Sequence, residues 1–166
     1  MSQQIREALD KAAGIIAANP EKARVKNSAT ATLTDGLKFS VAGPHGEKLG
    51  TDMPKGVGGD ASTFSPGWAM RASLAACTGT CIAMRAAKLG INLDKLDVTV
   101  ESSGDQRGML GLDDTVTPAL TGFRMRVAIA GSADRSTLVD IVRWADEHSP
   151  VACTLRAALP IAVSVE

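Results

Sequence analysis

Three cysteines are the most nucleophilic side chains of this chain, at positions 77, 81 and 153. Two of them lie four residues apart in the apolar run LAACTGTCIAM, residues 74–84. Cysteines so placed serve as a redox centre, bind a soft metal, or pack as small hydrophobes. A zinc site takes about four ligands with close pairs such as C-x2-C. Here the cysteines have only His45 and His148 to join them, and nothing has paired-ligand spacing. No metal is expected. Cys77 and Cys81 share one face of a helix, a geometry that strains a disulfide between them. Cys153 is the better partner for either, if the fold brings it near.

Other catalytic signatures are missing. There is no G-x-S-x-G, and no glycine-rich stretch ends in Gly-Lys-Ser or Gly-Lys-Thr. The glycines of KGVGGD, Lys55 to Asp60, fit neither nucleotide fingerprint and read as a loop requirement. His148 closes a helix, where a polar or cationic ring suits the dipole. His45 sits in a Gly-Pro loop facing solvent. Neither is expected to act as a general base.

Apolar residues make up 45% of the 166 positions but aromatics only 3%, with no tyrosine. Single-stranded nucleic-acid binding usually needs such rings for stacking. Eighteen Lys and Arg balance eighteen Asp and Glu, so no basic footprint favours nucleic acid or an anionic membrane. No run approaches the roughly 18 apolar residues of a membrane span. The first twenty residues lack the parts of a signal peptide. They place Ile5, Leu9, Ala12, Ala13 and Ile16 at helical spacing. The expectation is one domain over residues 1–166, with 1–20 as a helical N-terminal extension, in the cytoplasm with its cysteines as free thiols or a catalytic pair.

The elements that must position the cysteines follow from periodicity. ARVKNSATATL and GLKFSVAG alternate as strands, joined by a tight turn at Thr34, Asp35 and Gly36. A Gly- and Pro-rich loop follows, with room for one short strand around Lys48 to Asp52. Ser65 caps a helix that begins at Pro66, runs to about Leu89 and ends at Gly90. Its seam is Met70, Leu74, Cys77, Cys81, Met84 and Lys88, with Arg71, Thr78 and Arg85 on a more polar stripe. Small residues on nearly every side predict a buried central helix. LDKLDVTVESSGD and TGFRMRVAIAG alternate as strands around the loop GMLGLDDTVTPAL. Ser132 or Asp134 then caps a helix with Leu138, Ile141, Val142 and Ala145 on one face, stopping near Ser149-Pro150. VACTLRAA reads as a further helical turn and IAVSV as a final strand. The order is α+β.

These segments resemble the OsmC/Ohr family (osmotically inducible protein C and organic hydroperoxide resistance proteins) over roughly residues 22–166. SPGWAMRASLAACT, residues 65–78, is similar to the family's Pro-initiated helix leading to Ala-Ala-Cys. HSPVACTLRAALPIAVSV, residues 148–165, is similar to its Cys-Pro-Val segment, short helical turn and last strand. KLGINLDKLDVTVE matches the stretch that ends the central helix and opens the next strand. The resemblance implies an N-terminal antiparallel sheet, a long buried central helix, a C-terminal strand-helix-strand part and an intertwined homodimer. It also implies thiol-dependent reduction of organic hydroperoxides without a cofactor: a thiolate becomes a sulfenic acid, a second cysteine condenses to a disulfide, and an external dithiol reduces it.

By position, Cys77 matches the peroxidatic cysteine. The second cysteine's place is held by Ser149, which cannot form a disulfide but suits an N-cap ahead of Pro150. The family's helix-start glutamate aligns with Gly67, and Lys38 stands in the turn that would carry its activating arginine. Arg24 and Arg71 are the other candidate charges. Catalysis would therefore use Cys77 as nucleophile and Cys153 as a displaced resolving thiol. The alternative is a non-catalytic protein binding a small apolar ligand in a cleft around Cys77, Cys81, Met70 and Met84.

Overall fold

The computed structural model describes residues 2–157 and 159–165. Two compact units make up the chain, Ala12–Ala72 on the one hand and Met1–Lys11 with Ser73–Glu166 on the other. Helix α1, Ser2–Ala18, opens the chain and leaves Ile16 exposed, while Ile5 and Leu9 are half-buried. No described helix is long and apolar enough to cross a membrane.

In the unit Ala12–Ala72, strands β1 (Thr30–Asp35), β2 (Lys38–Ala42) and β3 (Lys48–Thr51) form an antiparallel sheet in that order. Asp35 pairs with Lys38 across a two-residue turn, and Gly36 holds φ +52° there, as the Asp-Gly step led one to expect. β1 begins later than the alternation suggested, at Thr30. Beyond β3 the glycine-rich loop wraps a buried carboxylate. Asp52 accepts hydrogen bonds from the backbone N–H groups of Met53, Asp60 and Ser62 and from the Ser62 hydroxyl, at 2.7, 3.3, 2.9 and 2.7 Å. These bonds, those from Ser62 foremost, hold its pKa below the ordinary value.

Helix α2, Pro66–Lys88, starts where Ser65 Oγ accepts the Trp68 N–H at 3.3 Å. It stops in a Schellman arrangement. Gly90 takes φ +72°, its N–H bonds to Ala87 O, and the Ile91 N–H reaches Ala86 O at 2.9 Å.

In the unit that holds Ser73–Glu166, β4 (Leu93–Ser103) and β5 (Thr121–Gly131) pair antiparallel, with Leu96 opposite Ile129 and Val98 opposite Val127. A short helix α3, Gln106–Met109, runs into the start of the segment read as loop, at Gly108 and Met109; Asp105 caps it through the Arg107 N–H. Helix α4, Arg135–His148, is capped by Asp134, whose carboxylate accepts the Thr137 N–H at 2.8 Å. Ile82 and Ala86 of α2 meet Leu138, Ile141 and Ala145 of α4 in one core cluster. Leu96, Val98, Val127 and Ile129 of the sheet pack against it. Helix α5, Pro150–Arg156, is the last helix or strand among the described residues.

Two expectations are corrected. The buried stripe of α2 is Leu74, Thr78, Ile82 and Ala86, not the seam through Cys77 and Met84. One side of the helix is covered by α4 and the strands, and the stripe Ser73, Ala76, Thr80 and Met84 is left exposed. The segment IAVSV forms no strand: residues 161–165 have no ladder partner among the described residues, and Ile161, Val163 and Val165 are exposed.

Candidate functional site

The site grows from the junction between α4 and α5. Pro150 cannot follow a residue in helical geometry comfortably, so Ser149 takes an extended conformation (φ −75°, ψ 114°) that ends one helix and caps the next. It is completely buried. Its hydroxyl oxygen accepts the Ala152 N–H at 3.4 Å and the Thr78 hydroxyl at 3.2 Å. A serine hydroxyl has two lone pairs and a single hydrogen. With both lone pairs engaged, that hydrogen goes to Cys77 Sγ, 3.2 Å away.

Each of the three thiols meets one of three consecutive residues. Cys77 receives the Ser149 hydroxyl; Cys81 Sγ donates to His148 O at 3.7 Å; Cys153 Sγ donates to Glu147 O at 3.2 Å. The polarity of these contacts separates their roles. Cys77 accepts, whereas Cys81 and Cys153 donate. Burial pushes the Cys81 thiol up, and so do the nearby charge of Cys77, a hydrogen bond with Cys77, and the charge of Cys153. The sulfurs do not converge on one point: among the described residues, no group of three or more His, Cys, Asp or Glu is placed to hold a metal ion. Cys77 and Cys81 are half-buried and Cys153 is exposed.

Other candidates are occupied elsewhere. The His148 ring stacks on Trp144 at 4.1 Å, and its Nδ1 bonds to Trp144 O at 2.7 Å. The Arg85 guanidinium lies 4.8 Å from the Trp144 ring centroid. Lys38 is ion-paired with Asp60 at 2.6 Å and Asp35 at 3.7 Å, and Arg71 donates to Gly67 O on its own helix.

A groove of about 540 Å³ lies on the Thr78 side of α2. Leu74, Met125, Val142 and Leu155 supply its apolar surface, while Arg124, Arg143, Arg156 and Asp146 add charge. Cys77, Cys81, Met70 and Met84, around which the sequence suggests a cleft, do not line this groove. Thr78 belongs to both groove and site, because it donates to Ser149. Its importance was not legible from helical spacing, which assigned it only to a polar stripe.

The profile of the family described as OsmC-like protein matches residues 59–164. Among solved structures, an OsmC-like protein from Mycoplasma pneumoniae is similar, with TM-score 0.67 and 20% identity over 81% of this chain and 89% of that one. An organic hydroperoxide resistance protein OsmC from Legionella pneumophila has TM-score 0.54 and 25% identity, covering 80% and 90%. A putative organic hydroperoxide resistance protein from Vibrio cholerae, with captopril in one of its active sites, has TM-score 0.53 and 22% identity, covering 81% and 86%. No curated protein sequence matches the chain.

Proposed function

This chain belongs to the OsmC-like protein family, and from that premise we propose that it reduces organic hydroperoxides through Cys77. The observation that carries this reading is the Ser149 hydroxyl bonded to Cys77 Sγ at 3.2 Å. It supplies a donor to the sulfur at the position that matches the family's nucleophile. In the reaction the Cys77 thiolate attacks a peroxide oxygen and the O–O bond breaks. The products are a sulfenic acid on Cys77 and, after one proton is taken up, the alcohol. Cys153, exposed at the start of α5, is the thiol through which an external dithiol restores the enzyme. The groove beside Thr78 takes the apolar part of the hydroperoxide, with arginines suited to an acidic end.

The working form is a homodimer. The exposed stripe Ser73, Ala76, Thr80 and Met84 on α2 supports this, since small residues let a second helix approach closely. So does the exposed alternation of Ile161, Val163 and Val165, which has the period of an unpaired strand.

The test is to treat reduced protein with one equivalent of cumene hydroperoxide and measure intact mass and peptide map. The expected result is oxidation at Cys77 with release of the alcohol. An unmodified Cys77 after excess hydroperoxide would reject the peroxidase. The groove's charge and apolar lining favour a second reading, non-catalytic binding of an apolar ligand with an acidic group. That reading predicts a ligand retained in native mass spectrometry and no hydroperoxide consumption.

A further inference from the structure

We infer that Cys81 is the residue that resolves oxidised Cys77 and hands the oxidation on to Cys153, making the three cysteines a relay from a half-buried site to the surface. This rests on the peroxidase reading above.

The geometry supplies the order. Ser149 occupies the place of the missing sulfur and is completely buried against Cys77 and Thr78, so it fills the side of Cys77 that faces α5. Cys81 lies one helical turn along α2 from Cys77, on the same face. Cys81 and Cys153 come from different helices yet donate to adjacent carbonyls, His148 O and Glu147 O. The electrostatics agree, since Cys81 senses both other thiols.

The steps balance. The Cys77 sulfenic acid and the Cys81 thiol condense to a Cys77–Cys81 disulfide, releasing water. Cys153, exposed, gives up its proton to solvent, and the thiolate then attacks Cys81 Sγ. The Cys77–Cys81 bond breaks, the Cys81–Cys153 bond forms, and Cys77 leaves as a thiolate. One external dithiol reduces the Cys81–Cys153 disulfide to two thiols and is itself oxidised to a disulfide.

Strain makes the first bridge short-lived. A disulfide between helical residues i and i+4 is poorly matched to disulfide geometry and is therefore easily exchanged. Gly79, midway between the two cysteines, is the weakest helix former after proline, so distorting this turn costs less than it would with another residue there. The bridge from Cys81 to Cys153 spans two helices and escapes that restriction. When Cys77 leaves, the Ser149 hydroxyl is already placed to donate to its sulfur. The relay ends on the exposed thiol, where a dithiol can reach it.

The decisive experiment gives the full chain one equivalent of cumene hydroperoxide without reductant, alkylates free thiols and maps disulfides. Wild-type protein should show a Cys81–Cys153 bridge with Cys77 alkylated. Cys153→Ser should stop at Cys77–Cys81. Cys81→Ser, with Cys81→Ala as a second variant, should leave Cys77 as a sulfenic acid that a cyclic dione traps. A Cys77–Cys153 bridge in wild-type protein, or oxidised Cys77 with no bridge at all, overturns the relay while leaving the peroxidase standing. Cys77 untouched in all four proteins overturns both. The wild-type map decides the relay even where a variant fails to fold.

Discussion

Ser149 Oγ lies 3.2 Å from Cys77 Sγ across 72 residues of sequence, and its single hydrogen points at the sulfur. Two further donors fill the lone pairs of that oxygen, so the contact cannot reverse without leaving Thr78 or Ala152 unpaired. Replacing Ser149 by alanine should slow oxidation of Cys77 by hydroperoxide, read as the rate of sulfenic-acid trapping. It should also destabilise the chain: loss of a cap costs about 1 kcal/mol, and the stranded Thr78 hydroxyl adds about 1–3 kcal/mol. Urea unfolding measures the sum.

Ser149→Cys puts a sulfur where the resemblance expects one. Hydroperoxide should then produce a disulfide between Cys77 and the new thiol at position 149, in place of any bridge to Cys81 or Cys153. Peptide mapping after oxidation checks this. A variant that still bridges Cys81 to Cys153 in full yield would show that position 149 does not reach Cys77 productively.

Thr78→Val removes a donor to Ser149 while keeping the shape of the buried stripe. The Ser149 hydrogen is untouched, so Cys77 reactivity should fall less than in Ser149→Ala. A drop equal to that of Ser149→Ala would mean that Thr78 orients the hydroxyl rather than merely satisfying it. Comparing the two oxidation rates on one preparation distinguishes these outcomes.

Ile141 is 1% exposed and packs against Ile82, which is fully buried. Truncation to alanine removes apolar atoms and leaves a cavity the neighbouring strands cannot fill. Ile141→Ala should cost roughly 2–5 kcal/mol, measured by chemical denaturation, and loosen the α4 end that carries the three thiol contacts.

Asp52 has a folded-state pKa below its ordinary value, because Ser62, Met53 and Asp60 donate to the carboxylate. A depressed acid stabilises the fold above its unfolded pKa of about 3.9. That contribution is lost as pH falls through the lower folded value. Melting temperature should therefore fall on acidification below about pH 4, and Asp52→Asn should melt lower at neutral pH and respond less to acid. Thermal melts of both proteins over that range check the sign.

Most of the architecture was legible because its signals are local. Ser65-Pro66 and Gly90 bracket α2, Asp134 caps α4, and the alternation of Thr121–Gly131 gives β5 as one unbroken strand. The short helix Gln106–Met109 escaped because four residues carry no period. The buried stripe of α2 was misread for a different cause. Where nearly every side chain is small, hydropathy does not rank the faces, and the neighbours choose which one is covered.

By itself, the sequence determined the family, the place of Cys77 on a long helix and the absence of a cysteine at 149, since each is a matter of residue type and spacing. Only the tertiary structure decided what surrounds the sulfur. It brings the start of α5 onto Cys77, turns Ser149 into its donor, and sets Cys81 and Cys153 on adjacent carbonyls. For Cys77 and Cys81 the contacts join segments some seventy residues apart. Packing sets those contacts, and no local pattern encodes them.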